Sequence, residues 1–298
     1  MKLVHDAVTI MTPFLLAAVG GLFTELAGTL NIALEGFMLL GAFSSIVCAA
    51  LVGSLSAGVL LGMGITVLFA LVFGVISLYL QTNIFITGLA ANLMASGLTV
   101  VLASTFFGSK GVITFPGLAA PAVFHSKILE SLPGIGSLLS GYTAFVYISW
   151  AALVLSWLVL YHTAFGMRIR GTGMNPSAVS SLGLSPLRYK LAAILISGAA
   201  CGLAGAMLTL NVSAFVPGIT AGRGWIALVV IYLGNRTPGG ILAASFIFGL
   251  SISFSNYAQG ILALPADIIL AFPYILTVAA MIGYQVYRTQ RKRGTGNR

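Results

Sequence analysis

Acid is scarce in this chain. Asp6, Glu25, Glu35, Glu130 and Asp267 are the five acidic residues among 298, and charged residues of both signs come to 6%, where an ordinary soluble domain carries about a quarter. Carboxylates so few and so scattered exclude a two-carboxylate or metal-chelating centre on a polar surface. Cysteine is scarcer still: Cys48 and Cys201 lie far apart inside apolar stretches, with no Cys or His at ligand spacing, and read as small packing residues. No G-x-x-x-x-G-K-[ST] loop cradles a nucleotide phosphate, so the chain cannot be its own ATPase. H-E-x-x-H and G-x-S-x-G are missing too, and His5, His125 and His162 stand alone, which argues against an enzyme, soluble or intramembrane. No metal and no cofactor is expected.

What fills the chain instead is hydrocarbon. Hydrophobic residues make up 59% and the mean hydropathy is +1.07, values of an integral membrane protein surrounded by lipid. A helix needs about 20 largely apolar residues to cross the hydrocarbon core, and such runs lie at 7–23, 34–53, 55–80, 83–107, 142–164, 191–212, 223–235, 239–258 and 264–285. Runs this long exclude a closed barrel, so the fold class is all-α, a polytopic transmembrane bundle of about 8–10 spans. The first run follows Lys2 and resembles a signal sequence, but it lacks an obvious cleavage site and more spans follow, so it reads as an uncleaved first segment. Many of the 36 glycines fall inside the runs. The intervals between Gly198, Gly202 and Gly205 are those at which helix backbones approach closely in lipid.

The balance of 14 basic to 5 acidic residues, +9, would suggest nucleic acid for a soluble chain. In a membrane protein it reflects Lys and Arg on cytoplasmic loops, and no nucleic-acid role is expected. Arg168, Arg170, Arg188 and Lys190 flank one polar connection, and Arg288, Arg291, Lys292, Arg293 and Arg298 fill the tail. The expected organisation is therefore a single transmembrane domain over 1–287, with a cytoplasmic connection at 165–190, an extracytoplasmic loop at 108–141 and a basic cytoplasmic tail at 288–298. Arg236 is placed on the cytoplasmic side as well. Parity then requires the short 223–235 run to cross, broken or tilted. The N-terminus lies outside if 7–23 spans fully, and inside if 24–36 re-enters.

Three places break the apolar monotony. The first, from Gly20 to Gly36, puts Glu25, Asn31 and Glu35 between two membrane segments, where an ionisable side chain is costly and must be paired or face water. Asn31 and Glu35 share a face if this stretch is helical. They either line a translocation pathway or its gate, or make an interhelical bond that fixes the bundle. The second, from Ala221 to Gly240, is a short apolar stretch headed by Arg223, an interfacial anchor or a pathway residue. Ile226-Ala-Leu followed by Gly234 echoes Ile32-Ala-Leu followed by Gly41, and paired interrupted segments point to an internal inverted repeat with the pathway at its interface. The third is the basic-flanked connection: Asn175 can cap, Pro176 suits the first helical position, Ser177 to Leu182 make about two turns, and Gly183 ends them. A helix of this kind between two spans suits docking on a soluble partner.

Leu30-Asn-Ile-Ala-Leu-Glu-Gly-Phe-Met-Leu-Leu-Gly-Ala-Phe43, Gly166-Met-Arg-Ile-Arg-Gly-Thr-Gly-Met-Asn-Pro-Ser-Ala-Val179, Ala221-Gly-Arg-Gly-Trp-Ile-Ala-Leu228 and Pro273-Tyr-Ile-Leu-Thr277 occur in this order. Together they resemble the permease subunits of bacterial ABC importers of the branched-chain amino acid and simple sugar class, and most closely the branch for nucleoside uptake. The resemblance implies a permease in the bacterial cytoplasmic membrane that carries no chemistry itself. Its partners would be a second permease subunit, identical or not, two cytoplasmic ATPase subunits and an extracytoplasmic substrate-binding lipoprotein. It also implies that Ser177-Ala-Val-Ser-Ser-Leu-Gly183 is the coupling helix seated in a cleft of the ATPase, with Asn175, Pro176, Ser177, Ala178 and Gly183 as its contact and capping residues. Ser177 stands where the broader importer pattern has an acid and Val179 where it has an alanine, while Ala178 and Gly183 keep to it. Docking through the apolar face and backbone is therefore implied rather than an acidic contact. Within importers a flavin or a simple sugar is the alternative substrate. Outside them, a stand-alone secondary transporter or channel would want charged relays inside the spans, for which Glu25, Glu35 and Asp267 are the candidates.

Overall fold

Each long apolar run among the described residues folds as a helix, and the helices end where the local sequence stops them. In the computed structural model, which describes residues 2–124, 140–261 and 282, seven helices are long and apolar enough to cross a membrane, by length and composition. They are α1 (Lys2–Leu26), α2 (Leu34–Val52), α3 (Leu55–Gly74, continued by a π-helical turn at Val75–Tyr79), α4 (Ile84–Phe107), α5 (Ala144–His162), α8 (Pro186–Leu210) and α10 (Pro238–Ile261). Between them lie the shorter α6 (Ala164–Met174), α7 (Pro176–Ser181) and α9 (Arg223–Leu233). Ser54 and Asn83 cap α3 and α4 by accepting from Ala57 N and from Phe85 and Ile86 N, and Gly53 and Gly108 close α2 and α4 in the left-handed region, as caps of these types do. The span expected at 264–285, apart from Ile282, and the tail from Arg288 lie outside the described residues.

Not everything is helical. Four two-residue strands, β1 (Ile113–Thr114), β2 (Val123–Phe124), β3 (Tyr142–Thr143) and β4 (Ala214–Phe215), form two small antiparallel ribbons, β1 with β4 and β2 with β3. They lie in the loops and leave the bundle all-α.

Contacts sort the helix ends into two groups. The start of α1 lies with the ribbons: His5 stacks on Tyr142 at 4.1 Å, and Ser253, late in α10, donates to the Leu3 carbonyl. Burial first, then Tyr147 and Asp6, push the Tyr142 phenol up to about 12, so near neutral pH it packs as an uncharged ring. The end of α1 lies with the basic connection, Gly28 abutting Gly173 of α6. The first helix thus runs the full length of the bundle, and the N-terminus shares the end that carries 108–124. The 211–237 stretch also joins the two ends: it leaves α8 beside β4, and Arg236 reaches Glu25 at the far end. It runs between those ends as a broken segment in which α9 is the helical part.

The core is built around α2, enclosed by α3, α8 and α4. Its approach to α8 is backbone to backbone: a methyl added at Gly41 would lie 2.5 Å from the Gly202 Cα, and one at Gly205 would strike the Met38 carbonyl. A methyl added at Gly198 would lie 2.5 Å from the Cβ of Ala70 in α3. All three glycines at the spaced positions are thus used for packing. Thr209 of α8 adds a hydrogen bond of 2.9 Å to the Ala42 carbonyl. Outward faces of α3, α4 and α5 carry Leu68, Leu93 and Leu155, all exposed, as lipid-facing surfaces do.

Candidate functional site

The two interrupted places found in the sequence meet in the bundle, and the carboxylates of the first hold the two ends of the second. Glu35, in the first turn of α2, directs its carboxylate at the start of α9: Oε1 accepts from Gly222 N at 2.9 Å and Oε2 from Gly224 N at 2.7 Å. A helix start offers unpaired N–H groups and a partial positive charge, so an anion there satisfies both. The local sequence permits the approach. Gly222 adopts φ +78°, and a methyl added at Gly224 would lie 2.5 Å from the Glu35 Cα.

Glu25 engages the other end of α9 through side chains rather than helix N–H groups. Its Oε1 pairs with Arg236 at 2.9 Å and its Oε2 accepts from Tyr232 OH at 3.1 Å, while the Arg236 guanidinium lies over the Tyr232 ring. Asn235 and Arg236, at φ +51° and +56°, turn the chain from α9 into α10 and bring the guanidinium onto Glu25. Between the two carboxylates runs the non-helical stretch 27–33.

Asn31 does not share a helical face with Glu35, because it precedes α2. Its Oδ1 accepts from Ala33 N at 3.0 Å, a local bond that competes with helix, and its Nδ2 donates to Ser197 Oγ of α8 at 3.0 Å. Asn92 of α4 was not picked out by the sequence reading, yet it fastens the same stretch twice, accepting from Gly36 N at 2.8 Å and donating to the Ile32 carbonyl at 3.0 Å. A lone Asn inside an apolar span was the available signal, since such a side chain must find partners in the bundle. Ser197, Tyr232 and Arg236 were likewise unassigned to any site.

Arg223 opens α9 half-buried and donates to the carbonyls of Ile219 at 3.0 Å and Thr220 at 3.2 Å. It also lines a cavity of about 270 Å³ with Thr9 and Pro13 of α1 and Asn211. The Ile-Ala-Leu echo falls on unlike positions: Ile32 and Ala33 precede α2, whereas Ile226–Leu228 lie inside α9. That match carries no inverted repeat.

The third place folds as its caps dictate. Asn175 Oδ1 accepts from Ala178 N at 3.1 Å, Pro176 takes the first turn, and Gly183 follows at φ +74°. Val179 is the residue of α7 that turns inward; Ser177 and Ala178 face out, flanked by Met174 at 88% and Leu182 at 76% exposure.

Against this geometry, the family model described as the branched-chain amino acid transport system permease component matches residues 3–281. The chain belongs to this family of ABC transporter permeases. Among curated relatives, the permease is 31% identical to the nucleoside ABC transporter permease protein NupC of Lactococcus lactis over 91% of its own length and 88% of that protein's. It is also 31% identical to the guanosine ABC transporter permease protein NupQ of Bacillus subtilis, over the same shares of the two chains. A third relative, TsgC13 of Haloferax volcanii, is named as a glucose ABC transporter permease; it is 31% identical over 98% of this chain and 93% of its own. Among solved structures, an inward-facing ABC transporter of metal-chelate type aligns with a TM-score of 0.54 at 16% identity, over 97% of this chain and 86% of that one, which shows a shared fold. The permease is thus a multi-pass membrane protein, and subunits of its family are not themselves enzymes.

Proposed function

We propose that the permease forms the membrane path of an ATP-driven importer for a nucleoside, working by alternating access. Similarity to NupC and NupQ along nine-tenths of the chain is the observation that carries the substrate class, and the exposed α7 supports the coupling. In this reading two ATPase subunits dock on α7 through Ala178 and its apolar neighbours, a second permease subunit completes the path, and a binding lipoprotein delivers the solute from outside. The end bearing Arg168, Arg170, Arg188, Lys190 and Arg236 is cytoplasmic, as is the tail at 288–298, and the loop at 108–141 is outside. Residues 1–287 act as one domain.

The interrupted segments form the gate: Glu25, Asn31 and Glu35 hold it from the α1–α2 side, and Arg223 lines the cavity at its outer edge. A stand-alone carrier would need ionisable side chains released to relay charge; of the three candidates Asp267 lies outside the described residues, and the two described, Glu25 and Glu35, are both engaged with α9 and its flanks. Sugar is the second substrate reading, favoured by TsgC13. Uptake of labelled guanosine by cells making the whole assembly, competed with unlabelled nucleosides, riboflavin and glucose, tests the choice. Competition by nucleosides and by neither glucose nor riboflavin is expected; failure to take up guanosine in cells that take up labelled glucose or riboflavin through the same assembly would replace the nucleoside.

A further inference from the structure

Three fastenings converge on the last turn of α1 and the residues just after it. At Glu25 it is tied to the corner between α9 and α10. Beyond Gly28 it runs into the non-helical stretch that Asn31 and Asn92 bind to α8 and α4 and that ends at Glu35 on the start of α9. At Gly28 itself it meets α6. A methyl added at Gly28 would lie 3.0 Å from the Gly173 Cα, and one added at Gly173 would strike the Leu26 carbonyl. Gly28 holds φ +72°, a conformation that suits glycine.

On the far side of that contact, a single residue separates α6 from α7. Asn175 N donates to the Gly171 carbonyl at 2.9 Å while its side chain caps α7, so the two short helices are joined by a braced elbow. The other end of α6 is pinned at Gly166, where an added methyl would strike α5 at the Val159 carbonyl, and Ile169 is fully buried in between. A push on α7 is therefore passed to α6 rather than taken up in a flexible linker. It arrives at α1 through two apposed backbones, with no side chain able to change rotamer and absorb it. Packed contacts of this kind switch between discrete arrangements instead of yielding gradually.

We propose that the Gly28–Gly173 contact is the joint through which displacement of α7 reaches the interrupted segment and, through Glu25 and Glu35, both ends of α9. Gly28 and Gly173 are positioning residues for transport: they touch neither solute nor nucleotide. This rests on the reading of α7 as the ATPase-docking helix. The assembled complex in proteoliposomes provides the test, with solute imported per ATP hydrolysed as the readout, a ratio that a merely destabilised permease does not change. Gly173→Ala forces the two backbones apart. Gly28→Asn keeps the left-handed conformation accessible and places a side chain in the contact, which guards against the first variant failing to fold. Gly171→Ala, whose added methyl meets Val179 Cγ2 at an ordinary 3.4 Å, is the control in the same helix.

The expected result is normal co-purification with the ATPase and continued hydrolysis, with the transport ratio lowered about tenfold in both joint variants and unchanged in the control, the scale of a typical coupling between sites. A normal ratio in either assembled joint variant would overturn the joint. Loss of co-purification would also overturn it, by placing the contact in docking rather than transmission. Failure of the docking reading is separate: it shows as full assembly of a permease whose α7 surface has been blocked.

Discussion

Glu35 is the residue on which the interrupted region turns. Its two oxygens serve two N–H groups, and an amide in its place has one acceptor oxygen, so Glu35→Gln leaves one helix-start N–H unpaired at a cost of about 1–3 kcal/mol. Glu35→Gln is expected to insert and assemble while transporting more slowly, and Glu35→Leu, which removes both acceptors, to lose transport. Uptake rates normalised to permease in the membrane check this, and a normal rate for Glu35→Leu would remove any role for the carboxylate. Glu25 and Arg236 form a simpler pair, with the Arg236 side chain 50% exposed, so the interaction contributes less than about 1 kcal/mol. Its role is then tested by geometry rather than by stability: Glu25→Arg alone should impair transport, and adding Arg236→Glu should restore part of it. Absence of any rescue would show that the pair does not act as a unit. Asn92→Ala strips the partners from the Ile32 carbonyl and the Gly36 N–H, and a lowered melting temperature in detergent is expected from two buried groups left wanting.

At the scale of elements, α7 and α9 are the two short helices that the account asks most of. A bulky residue at Ala178 lies outside the spans and should leave them undisturbed, and proline at Gly183 cannot adopt the left-handed turn that ends α7. Ala178→Trp and Gly183→Pro are expected to leave the permease in the membrane and to abolish co-purification with the ATPase; intact assembly in both would reduce 165–190 to a connecting loop. The local form of α7 was legible in the sequence because caps act over three or four residues: Asn175, Pro176 and Gly183 each did what their chemistry dictates. The existence of α9 was legible as a short apolar run between Gly222 and Gly234. What the sequence could not show was that Glu35, 187 residues before Gly222 in the chain, would cap it. Pairing across that distance is fixed by the packing of α9 against α1 and α2, not by any local pattern. The shared face of Asn31 and Glu35 required a helix through 31–35, and it does not form because the Asn31 side chain bonds the backbone two residues on and so delays the start of α2.

For the whole molecule, orientation and energy source are the remaining claims. Single cysteines introduced into a background lacking Cys48 and Cys201 report sidedness: a thiol at Gly117 should react with an impermeant reagent in intact cells, and one at Ser177 only after the membrane is opened. Labelling of Ser177→Cys from outside would invert the bundle. The most direct measurement is uptake of labelled guanosine into proteoliposomes holding the permease with its partner permease and binding lipoprotein, with or without the ATPase subunits, and with ATP enclosed. The account predicts accumulation that needs both the ATPase and ATP and that disappears when either is withheld. Accumulation at the same rate without the ATPase subunits, driven by an ion gradient alone, would contradict it.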